Sequence, residues 1–505
     1  MIQRPTAQGP PPTPATHPPA PHGKHWQNAT LSNPALGNAG PSMMNIHAPA
    51  SIRNFLPEDT LGLWAVGALY AGAFVAPLSI SLGQAFQLLL LILGILFVRR
   101  NWAYLKGSPL IWLPVAFAAY VVLRTVFAAL FERPDLATSH WDEMATWMKT
   151  AIVPVLIYGL ALAATGNWLR HGLVTVALLM AGYCVYLAMH LSPADLVAAL
   201  QTTDRYNMEL GFRSSAIKLP AIITGLVITT VFFFATLSSA TSQTRWSLLL
   251  GSSLFSLALL AFFIASIIAT KSRNGWLTLA IALVAVLALS IWAYRRDLHR
   301  IRGALLGAMV AMLLAAGTLT TFSWDHISER WEQTADTVQQ TIALPFHGNV
   351  EELERDSVGI RVAYWAFAWE RFLDRPLVGR GAADQRHLTE EFPIPPQLED
   401  RDDTFHNSHL DILVRFGLVG YGMIAIFTVF LAVAAWRMLG VAGGTRAIGI
   451  YTLAFLPALF FWAMNAQLLH RYTMEHFYGP ILALSFAFAI SEMLTRNKPE
   501  SPRPS

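Results

Sequence analysis

Long apolar runs recur along this chain, and their length is the feature that most constrains its fold. A helix that crosses the hydrocarbon core of a bilayer needs about 20 mostly apolar residues. Because backbone polar groups in lipid must be paired within the segment itself, such runs predict helices. The predicted spans are 61–78, 80–98, 109–131, 144–164, 168–190, 215–237, 246–270, 275–293, 303–322, 410–436, 447–469 and 476–494.

The composition indicates an integral membrane protein. The chain is 54% hydrophobic and 13% charged, whereas soluble proteins carry about 25% charged residues. The sequence pI of about 9.2 is compatible with nucleic-acid binding, but the Lys and Arg residues lie in short clusters between apolar runs. That pattern is typical of membrane topology, so we predict no nucleic-acid partner. The single cysteine, Cys184, excludes an intramolecular disulfide.

The predicted fold is an all-α integral membrane protein with about 12 transmembrane helices and one long, partly helical extramembrane loop. Residues 1–57 are rich in Pro, Ala and Thr and predict a disordered tail. Residues 58–322 contain the first nine spans, and residues 323–409 form the loop. Residues 410–494 contain the last three spans, and residues 495–505 form a second tail.

The distribution of basic residues predicts the orientation of the spans. If the N-terminus is cytoplasmic, the connections on that side are short and basic, as in the stretch from Arg295 to Arg302. The long loop on the other side carries 17 Asp or Glu against 8 Arg. Cytoplasmic connections are enriched in Lys and Arg, so we expect both termini in the cytoplasm and the loop outside.

The middle of the loop, VGIRVAYWAFAWERFLDRP, predicts an amphipathic helix that ends before Pro376. Arg361 stands one turn before Trp365, on the apolar face. Either its head reaches water along the ring, or this face covers the membrane domain and Arg361 meets an anion there. The predicted apolar face carries Val358, Trp365, Trp369 and Phe372, and the opposite face carries Glu370, Arg371 and Asp374.

Basic residues near the outer ends of spans are candidates for a functional site, because charges are costly in hydrocarbon. Taken singly, each suits an interfacial anchor that contacts lipid phosphate. Taken together, they suit a site for a polyanionic lipid head group, since guanidinium groups offer paired donors to phosphate oxygens. The candidates are Arg124, Arg213, Lys218, Lys271, Arg273 and Arg361.

The stretch HNSHLDILVRFG, residues 406–417, brings two histidines to the start of the tenth predicted span. A lone histidine at a boundary is usually a polar group that water satisfies. Two in one helical turn, His406 and His409, beside Asn407, favour acid–base chemistry. The acidic run at 398–403 suits either a divalent cation or a solvated surface.

Four motifs resemble the O-antigen ligase and polymerase superfamily of bacterial inner membranes. The resemblance covers about residues 210–425, and the span layout extends it to most of the chain. The last motif is the most specific: the family pattern selects His406, Asn407, Leu410 and Gly417. The motifs are SRNGW at 272–276, RVAYW at 361–365, DRPLVGRG at 374–381 and HNSHLDILVRFGLVGYG at 406–422.

The resemblance implies roles for individual residues. His406 takes the place of the essential histidine, and Arg273 and Arg361 take those of the essential arginines. His409 occupies a variable position, and it supports the site together with Asn407 and Trp365. Arg213 and Lys218 match the family less securely. Together with Lys271 and Arg124, which are candidates from their positions near span ends, they would bind the pyrophosphate.

The resemblance also implies the reaction. The protein would transfer a polysaccharide from undecaprenyl pyrophosphate to the lipid A–core oligosaccharide at the periplasmic face, with inversion and without a metal or cofactor. Its partners would be this donor, this acceptor and membrane lipid. Three alternatives stay open: an O-antigen polymerase, a protein O-oligosaccharyltransferase and a transporter. A transporter should carry charges near the membrane midplane, whereas these charges gather at one face.

Overall fold

The computed structural model describes residues 59–149, 152–190, 273–295, 359–383, 405–441, 443–464 and 478–497, with Gly317 and Ser328. All of them belong to the unit formed by Leu56–Ser505. Within these ranges the structure is helical and has no strand, as predicted.

Eleven helices of more than ten residues build the described part of the chain. A short helix, Trp102–Leu105, follows the second of them. A π-helical turn, Ala128–Glu132, and a 3₁₀ turn, Pro134–Leu136, lead from the third to the fourth. In chain order the helices are α1 Thr60–Val75, α2 Ile80–Arg100, α3 Pro109–Phe127, α4 Ala137–Lys149, α5 Val153–Ala164, α6 Trp168–His190, α7 Arg273–Ala293, α8 Gly359–Asp374, α9 Ser408–Met438, α10 Gly444–Ala463 and α11 Gly479–Asn497.

Six segments of the described ranges are long and apolar enough to cross a membrane, and α1 is a shorter apolar helix. The structure therefore fits a multi-pass membrane protein. The count of twelve spans stays a prediction, because the spans at 215–237, 246–270 and 303–322 lie outside the described residues apart from Gly317. The six segments are Ile80–Arg100, Pro109–Glu132, Pro134–Ala164, Asn274–Ala293, Ser408–Met438 and Gly444–Ala463.

The region between the third and fourth predicted spans differs from the sequence prediction. We placed a connection at 131–143 and began the fourth span at 144, whereas α4 begins at Ala137. This helix is amphipathic: His140 and Trp147 are 1% and 0% exposed, while its other positions include Asp142 and Glu143. An average hydropathy over the segment hides a helix whose apolar residues occupy one face only.

Aromatic contacts define one end of the helix bundle. The ring of Trp292, at the end of α7, lies 4.8 Å from the ring of Trp436, near the end of α9. The Arg446 guanidinium carbon, at the start of α10, lies 5.2 Å from the ring centroid of Tyr294. The C-terminal ends of α7 and α9 therefore lie beside the N-terminal end of α10.

The opposite end of these helices carries the sequence motifs. His409, in the first turn of α9, approaches Phe460, in the last turn of α10, with 3.0 Å between Nε2 and the carbonyl oxygen. Because α7 runs antiparallel to α10, the α7 residue Arg273 begins its helix at this same end. The chain topology thus brings the backbone of Arg273 and the start of α9 to one end of the bundle.

Candidate active site

The N-terminus of α9 fixes the backbone next to His406. Asn407 is the N-cap, and its side-chain oxygen accepts hydrogen bonds from the N–H groups of His409 and Leu410 at 3.0 and 3.1 Å. His406 has φ 50°, a positive value that no other non-glycine in the described residues shows. Such backbone strain costs energy and concentrates at functional sites. The sequence-predicted histidine therefore lies half-buried at a constrained turn.

His409 joins α9 to α10. Besides its approach to the Phe460 carbonyl, its Nδ1 lies 3.2 Å from the hydroxyl oxygen of Tyr421. Its ring centroid is 4.3 Å from that of Phe460. These contacts give the second histidine of the motif a packing role between two helices.

Helix α8 packs against the first part of α9, and its buried face differs in part from the predicted one. Trp369, which we placed on the apolar face, is 45% exposed, and Val358 lies outside the described residues. Nearly every residue of AYWAFAW is apolar, so periodicity alone does not select the face. The buried cluster consists of Tyr364, Phe367, Ala368 and Phe372 from α8 with Phe405 and Val414.

A hydrogen bond ties α8 to the residue before His406. The indole N–H of Trp365 donates to the carbonyl oxygen of Phe405 over 3.0 Å. Arg361 lies one turn earlier in α8 and is half-buried, about 6 Å from Trp365 along the helix axis. Residues four apart share a helix face. Arg361 is therefore on the same face of α8 as Trp365, which contacts the residue before His406.

Helix α9 is broken at Gly417, which has φ 62° and ψ −166°. In a continuous helix the next two N–H groups would donate to carbonyls four residues earlier. Here the N–H groups of Leu418 and Val419 donate instead to the carbonyls of Pro376 and Leu377, at 2.8 and 3.1 Å. Backbone groups at membrane depth need partners within the protein, and the segment that follows α8 supplies them.

The same segment also pairs with the carbonyls on the other side of the break. The N–H groups of Arg380 and Gly381 donate to the carbonyls of Val414 and Arg415, at 2.9 and 2.8 Å. Residues 375–383 thus take up the backbone groups on both sides of the break, and we call them the plug segment. The glycine that the family motif places eleven residues after His406 is the residue that permits this insertion.

Replacing Gly417 with alanine should destabilise the protein by more than about 1 kcal/mol, because alanine disfavours positive φ. An added Cβ would also lie 2.3 Å from the Leu377 carbonyl oxygen. Gly422 is the control on the same helix, since nothing lies within 4 Å of its added Cβ. Thermal unfolding in detergent should show a lower Tm for Gly417→Ala alone. Equal Tm values for the two variants would contradict this packing.

Arg415 and Asp411 form a buried ion pair, 2.7 Å between Nε and Oδ1, with side chains 2% and 1% exposed. The guanidinium also donates to the carbonyls of Ala382 and Ala383 in the plug segment, and it lies 5.6 Å from the ring centroid of Trp147. These partners explain how two charged residues are accommodated within a helix long and apolar enough to cross a membrane.

Arg124, which we predicted to contact pyrophosphate, is 5% exposed. Its Nε lies 3.1 Å from the carbonyl oxygens of both Val378 and Gly379, and its Nη2 lies 2.6 Å from a Glu132 oxygen. Most of its donors are therefore directed at protein acceptors. These contacts give Arg124 a structural role, and its contact with pyrophosphate stays a prediction.

Three residues that hold the plug segment were missed by sequence reasoning. The Tyr120 hydroxyl donates to the carbonyls of Val378 and Phe416, both over 3.0 Å. His140 Nδ1 accepts from the Ala383 N–H over 3.0 Å, and Glu132 pairs with Arg375 as well as with Arg124. For Glu132 and His140 the available signal was the polar character of residues 131–143 beside a span, which we assigned to a connection; Tyr120 lies within the third predicted span.

The remaining predicted site residues are only partly described. The backbone of Arg273 begins α7, whereas Arg213, Lys218, Lys271 and the acidic run at 398–403 lie outside the described residues. Within the part of the chain that the structure describes, no group of three or more His, Cys, Asp or Glu side chains could hold a metal ion.

Comparison with known proteins identifies one region. Residues 257–425 match a family model described as O-Antigen ligase, and no curated protein matches the chain. The matched region contains α7, α8, the plug segment and α9 as far as Ala425, and so includes Arg273, Arg361 and His406. The match confirms the resemblance that the motifs indicated: residues 257–425 are similar to the O-antigen ligase superfamily.

Proposed function

We propose that the protein is an O-antigen ligase that transfers polysaccharide from undecaprenyl pyrophosphate to the lipid A–core oligosaccharide. The match to the O-Antigen ligase model supports a membrane glycosyltransferase of this superfamily. One contact carries the proposal further. Trp365, one turn after Arg361, donates its indole N–H to Phe405, the neighbour of His406. This hydrogen bond links the residue before the candidate base to the helix turn that follows the candidate anion-binding arginine, which supports the proposal.

The proposed mechanism assigns His406 as the general base. Its neutral imidazole removes the proton from the acceptor hydroxyl as the oxygen attacks the anomeric carbon. The bond from that carbon to the pyrophosphate oxygen breaks at the same time, so the anomeric configuration inverts. Negative charge grows on the leaving pyrophosphate. Guanidinium groups of Arg361 and Arg273 stabilise that charge more in the transition state than in the ground state.

We propose that the site faces the periplasm and that both termini are cytoplasmic. The connections at the end of the bundle that is opposite the start of α9 are short and carry arginines, and short basic connections mark the cytoplasmic side. The described arginines of that end include Arg295, Arg437, Arg446 and Arg496.

The orientation can be tested by thiol labelling. In a Cys184→Ala background, Gln339→Cys and Ser501→Cys each introduce a single thiol, one in the loop and one in the C-terminal tail. An impermeant maleimide applied to intact spheroplasts should label only the first, because the tail is enclosed by the membrane. Labelling of the second alone would reverse the orientation.

Transfer should not require a divalent cation. Enzymes that cleave sugar–pyrophosphate bonds often use a metal to neutralise the leaving group, whereas here arginines would supply that charge. Purified protein with donor and acceptor should keep its rate in excess EDTA. Loss of activity that added magnesium or manganese restores would assign that role to a bound ion, for which the run at 398–403 is the candidate.

Deletion of the gene in its host distinguishes three candidate functions that differ in their acceptor. A ligase predicts lipopolysaccharide with core but no ladder on a gel, together with accumulated lipid-linked polymer. A polymerase would instead leave core that bears one repeat, because its acceptor is another lipid-linked glycan. Unchanged lipopolysaccharide with loss of glycan from Ser or Thr residues of proteins would indicate a protein O-oligosaccharyltransferase.

A further inference from the structure

We infer that Arg415 and Arg124 are positioning residues, which act through the plug segment to fix the part of α9 that begins beside His406. This inference rests on the proposed function, because it takes His406 as the base. Neither arginine needs to contact substrate in this role.

The break at Gly417 divides α9 into two parts of different character. Residues 418–438 are 21 residues, which at 1.5 Å per residue extend about 31 Å. That length matches the hydrocarbon core of a bilayer. Residues 408–416, the outer half-helix, therefore extend beyond the span and begin beside His406. Because no intrahelical hydrogen bond crosses from Leu418 and Val419 to the outer half-helix, other contacts must set its direction.

The outer half-helix, α8 and the plug segment form one packed unit. Tyr364, Phe367 and Phe372 of α8 belong to one buried cluster with Val414, and α8 leads directly into the plug segment. The plug segment pairs with the carbonyls of the outer half-helix through the N–H groups of Arg380 and Gly381. The turn that carries Arg361 and the residues beside His406 are therefore linked through one set of contacts.

Two buried arginines anchor this unit. Arg124, from the membrane helix α3, directs its guanidinium at the carbonyls of Val378 and Gly379 in the first half of the plug segment. Arg415 directs its guanidinium at those of Ala382 and Ala383 in the second half. A guanidinium offers five donors in a fixed plane, whereas an ammonium is a point charge. Lysine at either position keeps the charge but cannot reproduce these contacts.

The test is steady-state transfer by the full-length protein with Arg415→Lys or Arg124→Lys. A displacement of about 1 Å at a reacting group can cost about 100-fold in rate. We expect kcat to fall by about this factor, with an unchanged KM for the lipid-linked donor. Arg437→Lys is the matched control, because Arg437 pairs with Glu492 at the other end of the bundle with a side chain 56% exposed. It should keep wild-type kcat.

Two results would overturn the inference. A raised KM for the donor with unchanged kcat would make these arginines substrate-binding groups. Wild-type kcat in both lysine variants would leave them without any positioning role. If instead His406→Ala retained full activity, the proposed function itself would fail. The lysine variants therefore test the inference, and His406→Ala tests the proposed function.

A double replacement covers the case in which Arg415→Lys does not fold. Removing one partner of a buried ion pair leaves the other charge buried and unpaired, whereas replacing both partners by apolar residues is often tolerated. Asp411→Leu with Arg415→Met should therefore yield folded protein with the same loss of kcat. Backbone amides of residues 377–383 should exchange hydrogen faster in this variant. A folded variant with wild-type kcat and unchanged exchange would overturn the inference.

Discussion

Replacing His406 with alanine should abolish glycan transfer while the protein still inserts and folds. A general base contributes about 10²- to 10⁴-fold to a rate, and alanine cannot accept the proton of the acceptor hydroxyl. Alanine also disfavours the positive φ of 50° at this position. His406→Asn controls for that strain, because asparagine tolerates this backbone region but is not a base. Both variants should lose transfer equally in an assay with purified donor and acceptor.

His409 is the natural comparison for this loss. His409→Ala removes the contacts to Phe460 and Tyr421, and a lost hydrogen bond typically costs about 1 kcal/mol of stability. It should lower the Tm and keep substantial activity. Activity that survives His406→Ala but disappears in His409→Ala would show that the motif was aligned to the wrong histidine.

The membrane helices were the most predictable part of this fold. Predicted spans at 80–98 and 168–190 correspond to Ile80–Arg100 and Trp168–His190, because a long apolar run needs no knowledge of its neighbours. Helix α4 was less predictable. Its buried residues, His140 and Trp147, face the Gly381 turn and Arg415, and nothing local to α4 specifies those partners.

The site was predictable only where side chains carry the pattern. The motif selected His406 and Gly417, and the same stretch contains Asp411 and Arg415, which the structure pairs. The further partners of Arg415 are the backbone carbonyls of Ala382 and Ala383. Because any residue type supplies such a carbonyl, the sequence contains no signal for these contacts. For the same reason the contacts of Arg124 with the carbonyls of Val378 and Gly379 could not be predicted from the sequence.

The conservative variants Arg361→Lys and Arg273→Lys should each lose most of the transfer activity. If their guanidinium groups stabilise the departing pyrophosphate, the fixed fork binds two phosphate oxygens at once, and lysine keeps the charge without this geometry. Removing one preorganised donor to a developing oxyanion costs about 10²- to 10³-fold in kcat. The loss should appear in kcat and be accompanied by weaker binding of undecaprenyl pyrophosphate to purified protein.

Arg371→Lys is the matched control for Arg361→Lys, because both residues belong to α8. The Arg371 guanidinium pairs with Asp374 at 3.4 Å, and both side chains are partly exposed to solvent. Partly exposed ion pairs contribute little to stability, so this variant should retain activity. Full activity in Arg361→Lys and Arg273→Lys together would instead reduce both arginines to interfacial anchors that contact lipid phosphate. The charge on the leaving group would then have to be neutralised elsewhere, and the acidic run at 398–403 with a bound cation would become the leading candidate.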